Sequence, residues 1–258
     1  MWDNPRLLNL AANFLIGLAA LLFACAGLQL LVRSPLFPLK EIVVQGGLKN
    51  VAAAEIESAV DDVGGNFFAA DLAAIRARLE QVTWVRHVDV RRVWPDRIEV
   101  RLEEHIAFAR WGQVVGDLQS NGLVNTFGEP FAAVLEDGSE TRLPLFVGPP
   151  GTEGELARRY RLFVELLAPL AEASDRVVAA VVLTPRFAWQ LRLAGGLNLE
   201  LGRDGTEPVE QRLARFVAAY PESIGRLPRS ASAGADARRQ VDLRYPNGFA
   251  LRVAGWKS

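Results

Sequence analysis

Residues 10–32, LAANFLIGLAALLFACAGLQLLV, constrain this chain more than any other stretch. Asn13 and Gln29 are the only strongly polar members of the run. As a helix it would measure about 34 Å at roughly 1.5 Å per residue, enough to cross a hydrocarbon core of about 30 Å. A lone span in lipid must be helical, because it has no neighbouring strand to satisfy its backbone groups. Nothing later in the chain is long and apolar enough to span again.

Three uses of such a segment compete. Ala24-Cys25-Ala26 fits the small-x-small cleavage site of a signal peptide. Leu22-Phe23-Ala24-Cys25 loosely matches a lipoprotein signal, although Phe suits that motif poorly. The third use is an uncleaved anchor, and the residues favour it. The apolar run continues through Gly27, Leu28, Leu30, Leu31 and Val32, past both candidate sites. Arg6 on one side and Arg33 and Lys40 on the other leave the positive-inside signal weak. A short stub, 1–9, before a large C-terminal body fits a cytoplasmic N-terminus and an exported body.

Composition narrows what the body does. Lys+Arg number 29 against 30 Asp+Glu, a formal net charge of -1. Nucleic-acid binding needs a basic excess to neutralise phosphates, so that class is disfavoured. One cysteine, Cys25, permits no intramolecular disulfide. Two histidines, His87 and His105, leave little for a His-rich metal site.

After the anchor comes a linker, 33–38, kept extended by Pro35 and Pro38. Residues 39–104 then read as β-α-α-β-β. Leu39–Gln45 is the first strand, closed by Gly46-Gly47. Ala52–Val60 is a short helical stretch with Ile56 and Val60 as its apolar pair, broken by Gly64-Gly65. Asp71 is placed to cap a second helix whose Leu72, Ile75 and Leu79 share a face. Val85–Val93 and Arg97–Glu104 form a hairpin around Trp94-Pro95-Asp96. In its second strand Ile98, Val100 and Leu102 alternate with charged residues, one face buried and one wet.

Residues 105–258 read as a mainly antiparallel β domain with two inserted helices. Leu156, Tyr160, Phe163, Val164 and Leu167 share helical spacing, as do Val209, Leu213, Phe216, Val217 and Tyr220 before Pro221. Strands are expected at Val177–Leu183, over Trp189, Leu191 and Leu193, and over Leu197, Leu199 and Leu201 after Gly195-Gly196. Leu227–Arg239 reads as a loop. Val241, Leu243 and Tyr245 alternate into Pro246-Asn247-Gly248, and Phe249, Leu251 and Val253 alternate away, a terminal hairpin.

No catalytic constellation stands out: there is no G-x-S-x-G, H-E-x-x-H, P-loop or G-x-G-x-x-G. Glu103-Glu104-His105 falls at a strand end, where neighbours point to opposite faces, and reads as a solvated edge. Arg86, Arg91, Arg92, Arg97 and Arg101 read as a solvated sheet face with Glu99 and Glu103 as cross-strand partners. The chain therefore reads as a non-enzymatic protein without a cofactor. What it offers is a sheet edge: Phe249, Ala250 and Leu251 carry no blocking Lys or Pro, so the last strand could dock a partner's extended segment.

Several stretches resemble the FtsQ/DivIB family of bacterial cell-division proteins. They are Leu39–Gly46, the run from Trp84-Val85 through Val90–Asp96, Ala109-Arg110-Trp111, Leu201-Gly202-Arg203, Arg212–Val217, Tyr220-Pro221 and Val241–Tyr245. The resemblance covers nearly the whole chain and implies an α+β architecture. Its parts are a cytoplasmic tail (1–9), one transmembrane helix (10–32), a linker (33–38), a POTRA domain (39–104) and a C-terminal β domain (105–258). It also implies a scaffold in the inner membrane at the division septum, with a periplasmic body. Its partners would be single-span proteins resembling FtsB and FtsL, with upstream division proteins recruited through the POTRA domain. Carried over residue by residue, the partner site comprises Arg203, Arg244, Tyr245, Asn247, Gly248, Phe249, Ala250 and Leu251. The chain departs from the family pattern at Ala107, where Pro is common, and at Asn247, which replaces a small hydroxyl residue; the register near Gly255 and Trp256 is open. The alternative reading is a POTRA-type chaperone that escorts envelope polypeptides.

Overall fold

The computed structural model describes residues 5–32, 37–61, 66–115, 117–135, 142–170, 176–226 and 239–253. The expected linker at 33–36, Gly64-Gly65, the loop at 227–238 and the Gly255-Trp256 end lie outside them. The chain divides into two compact units, Met1–Glu104 and His105–Ser258.

In the first unit α1 spans Pro5–Val32, so the helix begins before the apolar run itself. It is long and apolar enough to cross a membrane. Phe14, Ile16, Leu21 and Phe23 are all exposed along it, and a helix apolar on every side finds no aqueous resting place.

The remainder of this unit is β1 (Glu41–Gln45), α2 (Ala53–Val60), α3 (Leu72–Leu79), β2 (Val85–Val93) and β3 (Arg97–Glu104). β1 starts at Glu41 rather than Leu39, because Leu39 and Lys40 lie beyond β3's first residue: Glu41 already faces Arg97. The sheet order is β1-β3-β2, with β1 parallel and β2 antiparallel to β3. Parallel neighbours need a crossover, and α2 and α3 provide it. Asp71 caps α3 as its position suggests, accepting from the backbone N–H of Ala73 and Ala74 at 3.0 and 3.1 Å. Ile75 and Leu79 then pack on Val88, Ile98, Val100 and Leu102 in one buried cluster.

The arginine-rich hairpin is the paired surface its charges suggest. Arg91 meets Glu99 at 2.7 Å, Arg86 meets Glu103 at 2.8 Å, and Arg97 meets Glu41 at 3.0 Å. Glu104 is different from its solvated reading. Its carboxylate accepts from the backbone N–H of Lys49, Asn50 and Val51, with contacts from 2.9 Å, and so ties the turn before α2 to the end of β3. His105 is likewise engaged: Nδ1 lies 2.9 Å from Asn125 Nδ2, and the ring stacks on Phe131 at 4.3 Å.

The second unit holds β4 (Ala107–Val115), β5 (Asp117–Asn125), β6 (Pro130–Phe131), β7 (Leu145–Val147), α4 (Glu153–Leu167), β8 (Val178–Leu183), β9 (Trp189–Leu193), β10 (Leu197–Gly202), α5 (Val209–Ala219), β11 (Arg239–Asp242) and β12 (Ala250–Val253). Among the described residues one sheet takes nine strands in the order β12-β11-β10-β9-β8-β7-β4-β5-β6. Of its eight junctions five are antiparallel and three parallel. Two of the parallel junctions explain the inserted helices: α4 carries the chain from β7 to β8, and α5 carries it from β10 to β11. The main core lies under these helices, where Leu156, Phe163, Leu213 and Phe216 meet Val181, Leu191, Leu199 and Val241. On the other face Leu145, Val147, Ala180 and Val182 form a smaller buried cluster.

Four details depart from the residue pattern. Val164 shares helical spacing with the core residues yet is 38% exposed, because it sits at the margin of the α4 stripe. The second helix ends at Ala219 and tightens into a 3₁₀ turn over Tyr220–Glu222 that contains Pro221. β8 begins at Val178, leaving Val177 exposed. The terminal hairpin pairs Asp242 with Ala250 and Arg239 with Val253, so Leu243, Tyr245 and Phe249 fall in the connection rather than in the strands. Asn247-Gly248 is thus part of a longer loop and not a two-residue turn. Leu243 keeps the inward side of the alternation and its N–H still reaches the Glu200 carbonyl of β10, but its pairing with the last strand has ended.

Candidate partner-binding site

The site grows from the end of β10. Gly202 has φ +78°, and a Cβ there would stand 2.9 Å from Arg244 Cγ. Glycine is needed on both counts. The Arg244 side chain lies across that bare backbone. It is held by Asp242, two residues back in the extended chain: Nε donates at 2.8 Å, Nη2 at 2.6 Å and the Arg244 backbone N–H at 3.0 Å. The hydrogen bond from Arg244 is the main cause that holds the Asp242 carboxyl below the ordinary aspartate range, against a smaller opposing effect of burial. The same pair pushes Arg244 above its ordinary value.

Two arginines of α5 fix the loops on either side. Arg212 donates to the carbonyls of Leu201 (2.5 Å), Arg203 (2.9 Å) and Glu207 (2.7 Å). Arg215 pairs with Glu207 and donates to the carbonyl of Tyr245 at 3.2 Å. Arg159 of α4 reaches Asp204 at 2.9 Å and also binds Glu155 and Glu210. Burial disfavours its charge, but the Glu155 hydrogen bond and the three carboxylates outweigh that and raise its pKa. Asp204 in turn accepts from the Val209 N–H at the start of α5.

The outcome is an open groove of about 580 Å³ lined by Thr184, Pro185, Arg186, Ala188, Gly202, Arg203 and Arg244. Arg244 is already held by Asp242, which leaves Arg186 and Arg203 at the groove to suit an incoming carboxylate. Beside it runs β12, which pairs with β11 and ends the sheet. Ala250 and Arg252 have exposed side chains and Leu251 packs on the core; among the described residues β12 is the last strand, so its alternate N–H and C=O groups face away from β11. The opposite sheet edge, β6, has two residues and one is Pro130, a poor template for strand pairing.

Comparison with known proteins bears on this arrangement. Residues 37–105 match the model of the FtsQ-type POTRA domain, and residues 109–244 match the model of the FtsQ/DivIB C-terminal domain. The chain belongs to the FtsQ/DivIB family. Cell division protein FtsQ of Burkholderia pseudomallei is 39% identical over 259 residues, covering 100% of this chain and 96% of that protein. The FtsQ of Nitrosospira multiformis is 38% identical, covering 98% of this chain and 99% of its own length. The Escherichia coli FtsQ is 32% identical over 223 residues, 85% of this chain and 73% of that protein.

Of the residues singled out through the FtsQ/DivIB resemblance, Arg203 and Arg244 line the one groove. Tyr245, Asn247 and Gly248 lie in the loop between β11 and β12, with Tyr245 54% exposed. Phe249 precedes the strand and turns inward, its ring 5.5 Å from that of Phe216. Ala250 and Leu251 open β12. Residues that pattern reading passed over include Gly202, Asp242, Arg212 and Arg215. A signal existed for three of them. Asp242 and Arg244 are two apart in extended chain and so share a face, and Arg212 and Arg215 are one helical turn apart. Nothing in the sequence points to Thr184-Pro185-Arg186 as the far wall.

The Asp242–Arg244 pair gives a pH prediction. A carboxyl whose folded pKa is depressed contributes stability above its unfolded pKa and loses it as pH falls through the folded value. The carbon-detected titration of Asp242 should therefore have its midpoint below the ordinary aspartate range, and Arg244→Ala should return it upward. An ordinary midpoint in the unaltered protein would contradict the pairing.

Proposed function

We propose that this FtsQ/DivIB member is a non-enzymatic, membrane-anchored scaffold of the bacterial division machinery. It takes an extended segment of a single-span partner, resembling FtsB or FtsL, by strand addition along β12. The observation that carries this reading is the outer edge of β12, which pairs with no strand among the described residues, beside a groove with three arginines. Main-chain pairing would supply affinity, and the groove would supply selectivity for an acidic side chain on the incoming segment. Leu251 and Phe249 pack inward, so the edge is held before a partner arrives and less ordering entropy is lost on docking.

In this reading α1 crosses the inner membrane with the N-terminus in the cytoplasm and both units in the periplasm at the septum. The POTRA unit contributes contacts to upstream division proteins. Depletion of the protein tests the role as a whole. Cells should elongate into filaments without septa, while outer-membrane permeability stays normal. Outer-membrane defects in cells that still divide would favour the chaperone alternative.

A further inference from the structure

The end of the first unit where the chain enters is aromatic. Phe37 and Phe68 meet edge to face at 5.2 Å, and Phe67 lies 5.1 Å from Phe68. The Phe67 N–H donates to the Phe37 carbonyl at 2.8 Å, and Arg92 binds the carbonyls of Phe67, Phe68 and Ala70. Arg92 is one residue from the end of β2, so this cluster shares its end of the sheet with the tip Trp94-Pro95-Asp96. The Lys40 N–H donates to the Asp96 carbonyl at 3.0 Å, and their side chains pair at 2.9 Å. Trp94 is 74% exposed and Phe68 40%. Large aromatic surfaces at a loop tip and a turn contribute nothing to this unit's own core.

Chain length says what can cover them. Only residues 33–36 separate Val32, where α1 ends, from Phe37. An extended chain advances at most about 3.6 Å per residue, so the Cα of Phe37 lies within roughly 18 Å of the helix end. We infer that this end of the unit rests in the phospholipid headgroup layer, with Trp94 and Phe68 at the boundary with the acyl chains. The inference rests on the reading that α1 spans a membrane. Trp has an apolar body and one polar N–H, which suits that boundary. Arg92 is taken up by the Phe67, Phe68 and Ala70 carbonyls, and Lys40 and Arg97 are matched by Asp96 and Glu41, so the contact is aromatic rather than electrostatic. Such a rest would hold the POTRA unit in one orientation on its short tether.

The test uses the full chain, with Cys25→Ser removing the native thiol, in nanodiscs of phosphatidylethanolamine and phosphatidylglycerol. A single nitrobenzoxadiazole label is placed through Trp94→Cys, Phe68→Cys, Lys49→Cys or Gly17→Cys. Lys49 is exposed and bound through its backbone to Glu104, at the opposite end of β3 from Arg97, about 23 Å away at 3.3 Å per residue. The Phe68→Cys protein keeps Trp94, so loss of the tryptophan alone cannot decide the result. Lipid carrying a nitroxide at the fifth acyl carbon should quench labels at 94 and 68 at least about twofold more than at 49. Equal, weak quenching at 94, 68 and 49, with Gly17 quenched by a deeper nitroxide, would overturn this inference and leave the anchor intact. A Gly17 label that no lipid nitroxide reaches would overturn the anchor and the inference with it.

Discussion

Ala250→Pro should weaken binding of a partner's extended segment by about thirtyfold, roughly 2 kcal/mol. A proline there removes the Ala250 N–H that the register aims at Asp242 of β11, and so loosens the leading end of the strand that an incoming backbone would pair with. The fold should survive. Ala250 is exposed and is the first residue of β12, a position where proline is tolerated. The measurement is a titration of the partner segment against the full chain in nanodiscs, beside a thermal unfolding curve. Lost affinity with an unchanged midpoint is the expected pair of results. Unchanged affinity would remove strand addition at β12 from the account.

Phe216→Ala should be the most damaging single truncation near the site, at about 3–5 kcal/mol. Phe216 is fully buried in α5 and meets Tyr220 at 5.7 Å and Phe249 at 5.5 Å, edge to face in both cases. It therefore joins the crossover helix to the residue that leads into β12. Its loss leaves a cavity and frees Phe249 together. Against a typical domain stability of about 5–15 kcal/mol that is a large share. Denaturant unfolding should show the loss, and hydrogen exchange should quicken in residues 250–253 before the rest of the sheet. A cost under about 1 kcal/mol would mean that the site closes over the gap, with Phe249 held by other contacts.

Elements with strong local signals were legible without a structure. β3 matches its alternation, since Ile98, Val100 and Leu102 could face only one core. Asp71 announces α3 because a carboxylate before an apolar face has few other uses there. The site was harder. Arg203 and Arg244 are far apart in sequence, and their meeting depends on α5 carrying β11 back to lie parallel to β10. No local pattern encodes that crossover. Alternation through Leu243 and Tyr245 suggested longer strands and rightly put Leu243 on the core side, but it could not reveal that Tyr245 is exposed and that Arg215 takes its carbonyl. Nor could it separate Phe249, which packs against the core, from Ala250 and Arg252, whose side chains stay exposed. Glu104 taught the same lesson in the first unit: three acceptor contacts to one turn are invisible in a Glu-Glu-His run.

The most direct test of the central claim is a photo-crosslinkable residue at Arg252 in living cells. Arg252 is exposed on β12, two residues beyond Ala250. The account predicts adducts with small single-span division proteins, lost when Ala250→Pro is added. Adducts with a broad set of unfolded envelope polypeptides, or adducts that persist unchanged with Ala250→Pro, would contradict it.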